Sequence, residues 1–412
     1  MNKKISYLFL IVLLMASNVY ALSPKREWRS TWFATVSNID WPSKRGTTPE
    51  IVALQKQELI NYLDGLAAMN MNAICFQVRS MCDAMYKSSY EPWSYYLTDS
   101  RGKDPGWDPL AFMAEECHKR GMDCYVWVNP YRWSHNSIDW KTYFDDSLKE
   151  RGLLLEGDER TYLNPGFPEV REHIVNVCKE IITKYDVQGL IFDDYFYPSG
   201  IVSDSSAGDY QLWRDSDTDL SFGDWRRNNV DMMVRDVYNM VQECRPDLRF
   251  GISPANSAGK SAWKYGVNEG PVAQYDWQYD GIYSDPLSWL NSGTIDFISP
   301  QEYVHTDHET KPFEPLTDWW DEMATHFGRH HYCSLSISCL VNDNSQEHWD
   351  EHVNQTLIAR NLARKGIYGA CFFSTRYLNG PAVSGAGQYF KQHLFSHKSL
   401  APIIDWKQWK KL

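Results

Sequence analysis

GLIFDDYFYP, residues 189–198, runs four apolar or small residues straight into two adjacent aspartates, Asp193 and Asp194, and closes on three aromatics and a proline. An unbroken apolar run of this length reads as a strand buried on both faces, the situation of a parallel sheet covered by helices. The flanks agree. PEVREHIVNVCKEIITKY (168–185) before it and FGDWRRNNVDMMVRDVYNMVQEC (222–244) after it both carry helical spacing. Two carboxylates at the exposed end of a buried strand are costly unless something uses them.

The same strand–helix unit recurs along the chain. Strands are expected at WRSTWFATV (28–36), AICFQVR (73–79), CYVWVNP (124–130), GLIFDD (189–194), RFGISP (249–254), DFISPQEYV (296–304), YCSLSIS (332–338) and IYGACFF (367–373), each followed by a helical segment. Helix 108–121 has a proline start and a glycine stop. Eight units in strict alternation predict an α/β fold, a (β/α)8 TIM barrel with enlarged β→α loops. A doubly wound open sheet would need fewer units or a glycine-rich dinucleotide turn, and no G-x-G-x-x-G occurs.

Residues 1–21 read as a secretory leader: Lys3 and Lys4, an apolar stretch from Ile5 to Ala16, and Val19-Tyr20-Ala21 at a cleavage site. The barrel is assigned to 22–398 and a tail, packed on it or frayed, to 399–412. No cysteine follows the apolar stretch to carry a lipid, and no later segment suits a membrane span, so a periplasmic or secreted monomer is expected. Losing Lys3 and Lys4 takes the net charge from -12 to -14, which disfavours nucleic acid and anionic membranes as partners. Nine cysteines remain, most inside apolar runs. Cys75 with Cys82, or Cys333 with Cys339, lie close enough in sequence to bridge, and the sequence leaves pairing open.

In a TIM barrel the chemistry collects at the carboxyl ends of the strands. Here those ends are polar and aromatic: Gln77, Arg79, Asp83 and Tyr86 after the second strand, Trp127, Asn129 and Arg132 at the third, Asp193, Asp194, Tyr195 and Tyr197 at the fourth, Ser253 to Asn256 at the fifth, and Gln301, Glu302 and Tyr303 at the sixth. The opposite ends hold ordinary turns such as KRGMD and ARKGI. Strand alternation sends Asp193 and Asp194 to opposite faces, one to the axis and one to the rim. Crowded carboxylates raise one pKa, which suits an acid beside an ionised partner. Asp285, before a short helix, and Glu302 are candidate partners, with helix capping and a rim salt bridge as their plainer roles. Aromatics reach 15% of the chain, and their faces suit sugar rings as well as a core. No cofactor motif occurs, and no metal site is assigned. His326 and His330 have i, i+4 spacing but fall at the wrong end of the barrel, and HTDH (305–308) reads as a polar loop.

EWRSTWFATVSNIDWPS, FQVRSMCDAMYKSSYEPWS, VWVNPYR, LNPGFPEVREHI, GLIFDDYFYP, FGISP and YSDPLSWLNSGTIDFISPQEY together resemble the bacterial glycosyl-hydrolase-like barrel family labelled "family 10 glycosylhydrolase". The likeness runs from about Trp28 to Trp406. It implies an exported (β/α)8 glycosidase, with some members acting on peptidoglycan glycan strands stripped of their peptides. It implies site roles for Arg79, Asp83, Asn129, Arg132, Asp193, Asp194, Tyr195, Asp285, Pro300, Gln301 and Tyr303. Glu302 falls at a variable place in the last motif, and GISPAN departs from the family after its proline. The resemblance is not to the xylanases: the fourth strand carries aspartates and LSISC has no glutamate. Catalytic roles are thus expected for Asp193, Asp194, Asp285 and Glu302. Substrate contacts are expected from Arg79, Asp83, Trp127, Asn129, Arg132, Tyr195, Tyr197, Gln301 and Tyr303. The competing functions are a non-catalytic glycan-binding barrel and a metal-dependent polysaccharide deacetylase.

Overall fold

A computed structural model describes residues 23–135, 148, 150–157, 160–379 and 385–407; the leader sequence lies outside them. Nine parallel strands form one sheet: β1 (Trp28–Phe33), β2 (Ala73–Arg79), β3 (Asp123–Val128), β7 (Gly189–Phe192), β8 (Arg249–Ile252), β9 (Phe297–Ile298), β10 (His330–His331), β11 (Cys333–Ser336) and β12 (Gly369–Phe373). Their order is β10-β9-β8-β7-β3-β2-β1-β12-β11. The two ends of that order are halves of one run, 330–336, broken only at Tyr332. One half pairs with β9 and the other with β12, and the Tyr332 N–H donates to the Ile298 carbonyl at 2.9 Å. The sheet therefore closes as an eight-stranded barrel.

Each barrel strand leads to a helix: α1 (Pro49–Ala68), α2 (Pro109–Lys119), α3 (Pro168–Lys184), α4 (Phe222–Cys244), α5 (Pro286–Ser292), α6 (Phe313–His326), α7 (Gln346–Leu362) and α8 (Ala386–His393). The starts are set by local chemistry. Thr48, Asp108 and Ser221 cap α1, α2 and α4 by accepting backbone N–H groups, and α1, α2, α3 and α5 begin with proline. On α4, Val230, Val234, Val237 and Val241 form one buried stripe against the barrel wall.

Inside the barrel, Trp28, Tyr125, Phe297 and Tyr332 pack as an aromatic layer with ring centroids 4.9–6.1 Å apart. Gly189 and Gly251 make room for it: a Cβ would sit 2.0 Å from the Tyr125 ring and 2.3 Å from the Phe297 ring. The tail closes this end. Leu400 pairs with Glu27, Pro402 accepts from Arg249 at 3.1 Å, and Trp406 and Lys407 bind Asp296 at 2.8 and 2.7 Å.

Three sequence expectations change. The first strand stops at Phe33 and the sixth shrinks to two residues. Strict alternation fails after β3, where β4 (Arg132–His135), β5 (Leu154–Glu156) and β6 (Arg160–Leu163) form a separate antiparallel sheet in the order β4-β6-β5. The nine cysteines are all free. The Cys75 sulfur lies 4.0 Å from that of Cys371, not beside Cys82.

Candidate active site

The carboxyl ends of the strands surround a cavity of about 260 Å³. Its floor is the innermost indole pair. Trp32 ends the inward row of β1 and donates Nε1–H to Ser334 Oγ at 2.7 Å. Trp127, the matching position of β3, meets it edge-on with centroids 4.9 Å apart. That contact aims the Trp127 Nε1–H at Asp193 Oδ2, 3.0 Å away. Asn129 Nδ2 donates to Asp193 Oδ1 at 3.0 Å, while Asn129 Oδ1 accepts the Arg132 backbone N–H at 2.9 Å. Asp193 is thus gripped by the strand next door.

Asp193 and Asp194 both line this cavity, contrary to the expectation from alternation. The physical reason is that β7 ends at Phe192, so the backbone of the aspartates has left the ladder that enforces a period of two. Only Tyr195 of the following aromatics joins them. Phe196 packs on Trp289 at 5.3 Å and Tyr197 on Tyr283 at 5.6 Å, which places Tyr197 in the outer core and not at the cleft.

Burial, and after it the charge of Asp193, pushes the Asp194 carboxyl up to about 7, against a hydrogen bond from Gln301 that favours its ionised form. Burial also raises Asp193. The Arg132 guanidinium and the Trp127 and Asn129 donors work the other way and stabilise its charge. Three neighbours thus favour charge on Asp193, while that charge disfavours ionisation of Asp194. A raised carboxyl is not diagnostic by itself: Asp40 reaches about 6 and Asp231 and Asp276 about 7 through burial, yet none of them lines the cavity. The combination with the cavity singles out Asp194.

Arg132 lies on the wall, with Nε donating to the Ser80 carbonyl at 2.9 Å and the guanidinium 4.8 Å above the Tyr195 ring. Its terminal nitrogens have no acceptor among the described residues. Gln301, Tyr303 and Phe373 complete the rim.

Several sequence-expected residues are not brought to this cavity. Arg79 is fully buried outside the barrel and bound to Glu91, with Nε at 2.9 and 2.8 Å and Nη2 at 2.5 Å. Asp83 holds its own turn through Ser80 Oγ at 3.2 Å and the Met81 N–H at 3.1 Å. Asp285 caps α5 and accepts from Ser261 Oγ at 2.7 Å and Tyr265 OH at 2.9 Å, the plainer of its two expected roles. Glu302 points outward, because Gln301 beside it points in; its Oε1 lies 2.7 Å from His331 Nε2, in the layer under α6. His326 and His330 belong to the amino-terminal end of the barrel, where His330 Nδ1 contacts Tyr332 OH at 2.9 Å.

Trp32, Val36, Ile39 and Phe373 also line the cavity, although no site role is expected for them from the sequence. For Trp32 a signal is present: it shares inward parity with Trp28 in WRSTWF. Arg160 is likewise unmarked, yet its guanidinium also lies 4.8 Å from the Tyr195 ring.

A sequence profile described as glycosyl hydrolase-like 10 matches residues 27–349, which contain every strand of the barrel up to β11 and both aspartates. The chain belongs to the glycosyl hydrolase-like 10 family. Membership sets it in the glycosidase class. Among its relatives, glycosyl hydrolase YngK of Bacillus subtilis (strain 168) is 35% identical over 394 residues, covering 92% of this chain and 74% of that one. Glycosyl hydrolase DigH of Escherichia coli (strain K12) is 31% identical over 386 residues, covering 88% and 86%. The fold is shared more widely. The glycoside hydrolase domain of PgaB (BpsB) from Bordetella bronchiseptica superposes with a TM-score of 0.57 at 11% identity, covering 92% of this chain and 99% of that one. The catalytic domain of a Paenibacillus polymyxa β-amylase does so with 0.56 at 11% identity, covering 91% and 99%.

Proposed function

We propose that this glycosidase cleaves bacterial peptidoglycan glycan strands from which the peptides have been removed. One observation carries the reading: Asp194, with its carboxyl raised to about 7, and the end of Arg132, which has no acceptor among the described residues, share one cavity. Glycoside hydrolysis needs a proton donor at the leaving oxygen and negative charge near the developing oxocarbenium ion. Asp194 supplies the first. Asp193, whose charged form is favoured by Arg132, Trp127 and Asn129, supplies the second. The indoles of Trp32 and Trp127 keep water away and offer faces to a sugar ring. A guanidinium fork matches a carboxylate in two-point geometry. On peptide-free strands the lactyl group of each N-acetylmuramic unit is such a carboxylate; an attached peptide turns it into an amide and adds bulk.

The test is mass spectrometry of products from peptide-free strands, intact peptidoglycan and chitin oligomers offered side by side. Stripped strands are expected to be cut in preference. Arg132→Lys is expected to narrow that preference by ~1–3 kcal/mol, the scale of a charged hydrogen bond. Equal cleavage of chitin oligomers and stripped strands would refute the carboxylate clamp.

Such a substrate lies outside the cytoplasm, and residues 1–21 have the leader pattern that would take the chain there. Among the described residues no helix is long and apolar enough to cross a membrane. The mature protein is expected to start near Leu22. Finding an intact Met1 on protein purified from the cell envelope would overturn export by a cleaved leader.

A further inference from the structure

A second cavity of about 260 Å³ adjoins the first, and Tyr195 lines both. Most of its other walls come from elements outside the segment that carries the catalytic pair. Arg160 and Tyr162 are supplied by β6 of the inserted sheet, Ser199 by the loop after the aspartates, and Trp277 by the loop between β8 and β9. The wall shared by the two cavities is the Tyr195 ring, with the guanidinium groups of Arg132 and Arg160 each 4.8 Å from it.

Three features make this cavity a receptor for an anion on a sugar. Arg160 forms no ion pair among the described residues; the polar neighbours that act on it are the Tyr195 and Tyr162 hydroxyls. Among the described residues no aspartate or glutamate lines the cavity, in a chain whose net charge is -12. Trp277 is 38% exposed at the rim, with Nε1 3.4 Å from Ser199 Oγ, so a large apolar ring is held open to solvent beside a guanidinium. An indole face stacks on the C–H face of a pyranose, while the fork takes a carboxylate on the same unit. Because Tyr195 belongs to both cavities, a glycan lying over the carboxyl pair continues past that ring into the second one.

We propose that the Arg160–Trp277 cavity is a subsite for the neighbouring sugar unit of the substrate, with Trp277 as its platform and Arg160 selecting units that bear a free carboxylate. This rests on the proposed function above and adds a second point of charge recognition, outside the reacting unit. It assigns a role to the inserted sheet: to carry Arg160 to the cleft.

The test uses the full-length mature protein and two sets of strand fragments, one with free lactyl carboxylates and one with those carboxylates chemically reduced to alcohols. For Arg160→Gln, the ratio of kcat/KM on acidic over reduced fragments is expected to fall about tenfold, with the loss in KM. Arg160→Lys is expected to recover only part of the ratio, since an ammonium cannot reproduce the fork. Trp277→Ala is expected to weaken both fragment sets by a similar factor. An unchanged ratio in Arg160→Gln, with both activities down together, would mean that Arg160 merely holds Tyr195 in place and would overturn the proposal. Should the wild type cut neither set, the reading of the substrate fails, and titration calorimetry on the same fragments decides the subsite separately. Tighter binding of the acidic set that disappears in Arg160→Gln upholds it; equal binding of both sets sinks it.

Discussion

Asp194→Asn is expected to lower turnover by roughly a hundredfold or more, the scale of general acid–base help, and at the same time to stabilise the protein above neutral pH. Both effects follow from one fact. Burial, then the charge of Asp193, raises the Asp194 carboxyl to about 7, against about 3.9 for an aspartate in an unfolded chain. Below both values the group is protonated in either state and costs nothing. Between them the folded protein keeps a proton that the unfolded chain releases, so stability falls as pH rises through that window and levels off above about 7. Asparagine does not ionise, and the variant lacks this decline. Urea denaturation at pH 4 and pH 8 checks it: wild type and variant should agree far better at the lower pH, with the variant the more stable at the higher. The wild-type rate should show an alkaline limb near pH 7, as the proton needed for the leaving group is lost. A variant with wild-type turnover, or a wild-type rate still climbing through pH 8, would remove Asp194 from the acid's role.

That a sequence exposes this pair but not its surroundings has a physical basis. The barrel is legible because its strands are buried on both faces and read as plain apolar runs, as in AICFQVR and GLIFDD. The inserted sheet is not: RWSH, LLE and RTYL are three or four residues long, polar on one side, and too short for a period to show. With it goes Arg160, a residue no local pattern marks. Arg79 and Arg132 look alike in sequence, each at a strand end next to the cleft. They part because β2 slips register against β3 between Gln77 and Arg79. Such a bulge re-aims the side chains after it. Gln77 stays with the loop of β1, where its Oε1 accepts the Thr35 and Val36 N–H groups at 3.0 and 2.8 Å, while Arg79 is sent outward to Glu91. The expected split of Asp193 and Asp194 between axis and rim fails for the converse reason: alternation does not extend beyond the ladder that enforces it, and the ladder stops at Phe192.

The outward turn of Arg79 predicts a large loss of stability. Arg79→Met should cost about 3–5 kcal/mol, the range for breaking a buried ion pair from one side. The guanidinium is fully buried. It satisfies both Glu91 oxygens, the carbonyls of Asn129 and Pro130, and Cys82 Sγ at 3.1 Å. Burial alone would raise Glu91; the Arg79 charge, helped by His173 at 3.0 Å, outweighs it and holds the carboxyl below its usual range. Methionine fills much of the space but leaves that charge with a single partner and two carbonyls with none. Lysine would restore a charge without the fork that reaches five acceptors. Replacing both partners, Arg79→Met with Glu91→Leu, should recover most of the loss, because the remaining cost is that of the unpaired ion. Since Glu91 is depressed, the stability it contributes in the wild type fades as pH falls through the carboxylate range, so the gap between wild type and Arg79→Met should narrow in acid. Activity should fall too, but by a different route: Asn129, which holds Asp193, receives its backbone support from Arg79. A urea midpoint for Arg79→Met within about 1 kcal/mol of wild type, together with altered preference for acidic over neutral glycans, would return Arg79 to the cleft and displace Arg132 as the carboxylate's partner.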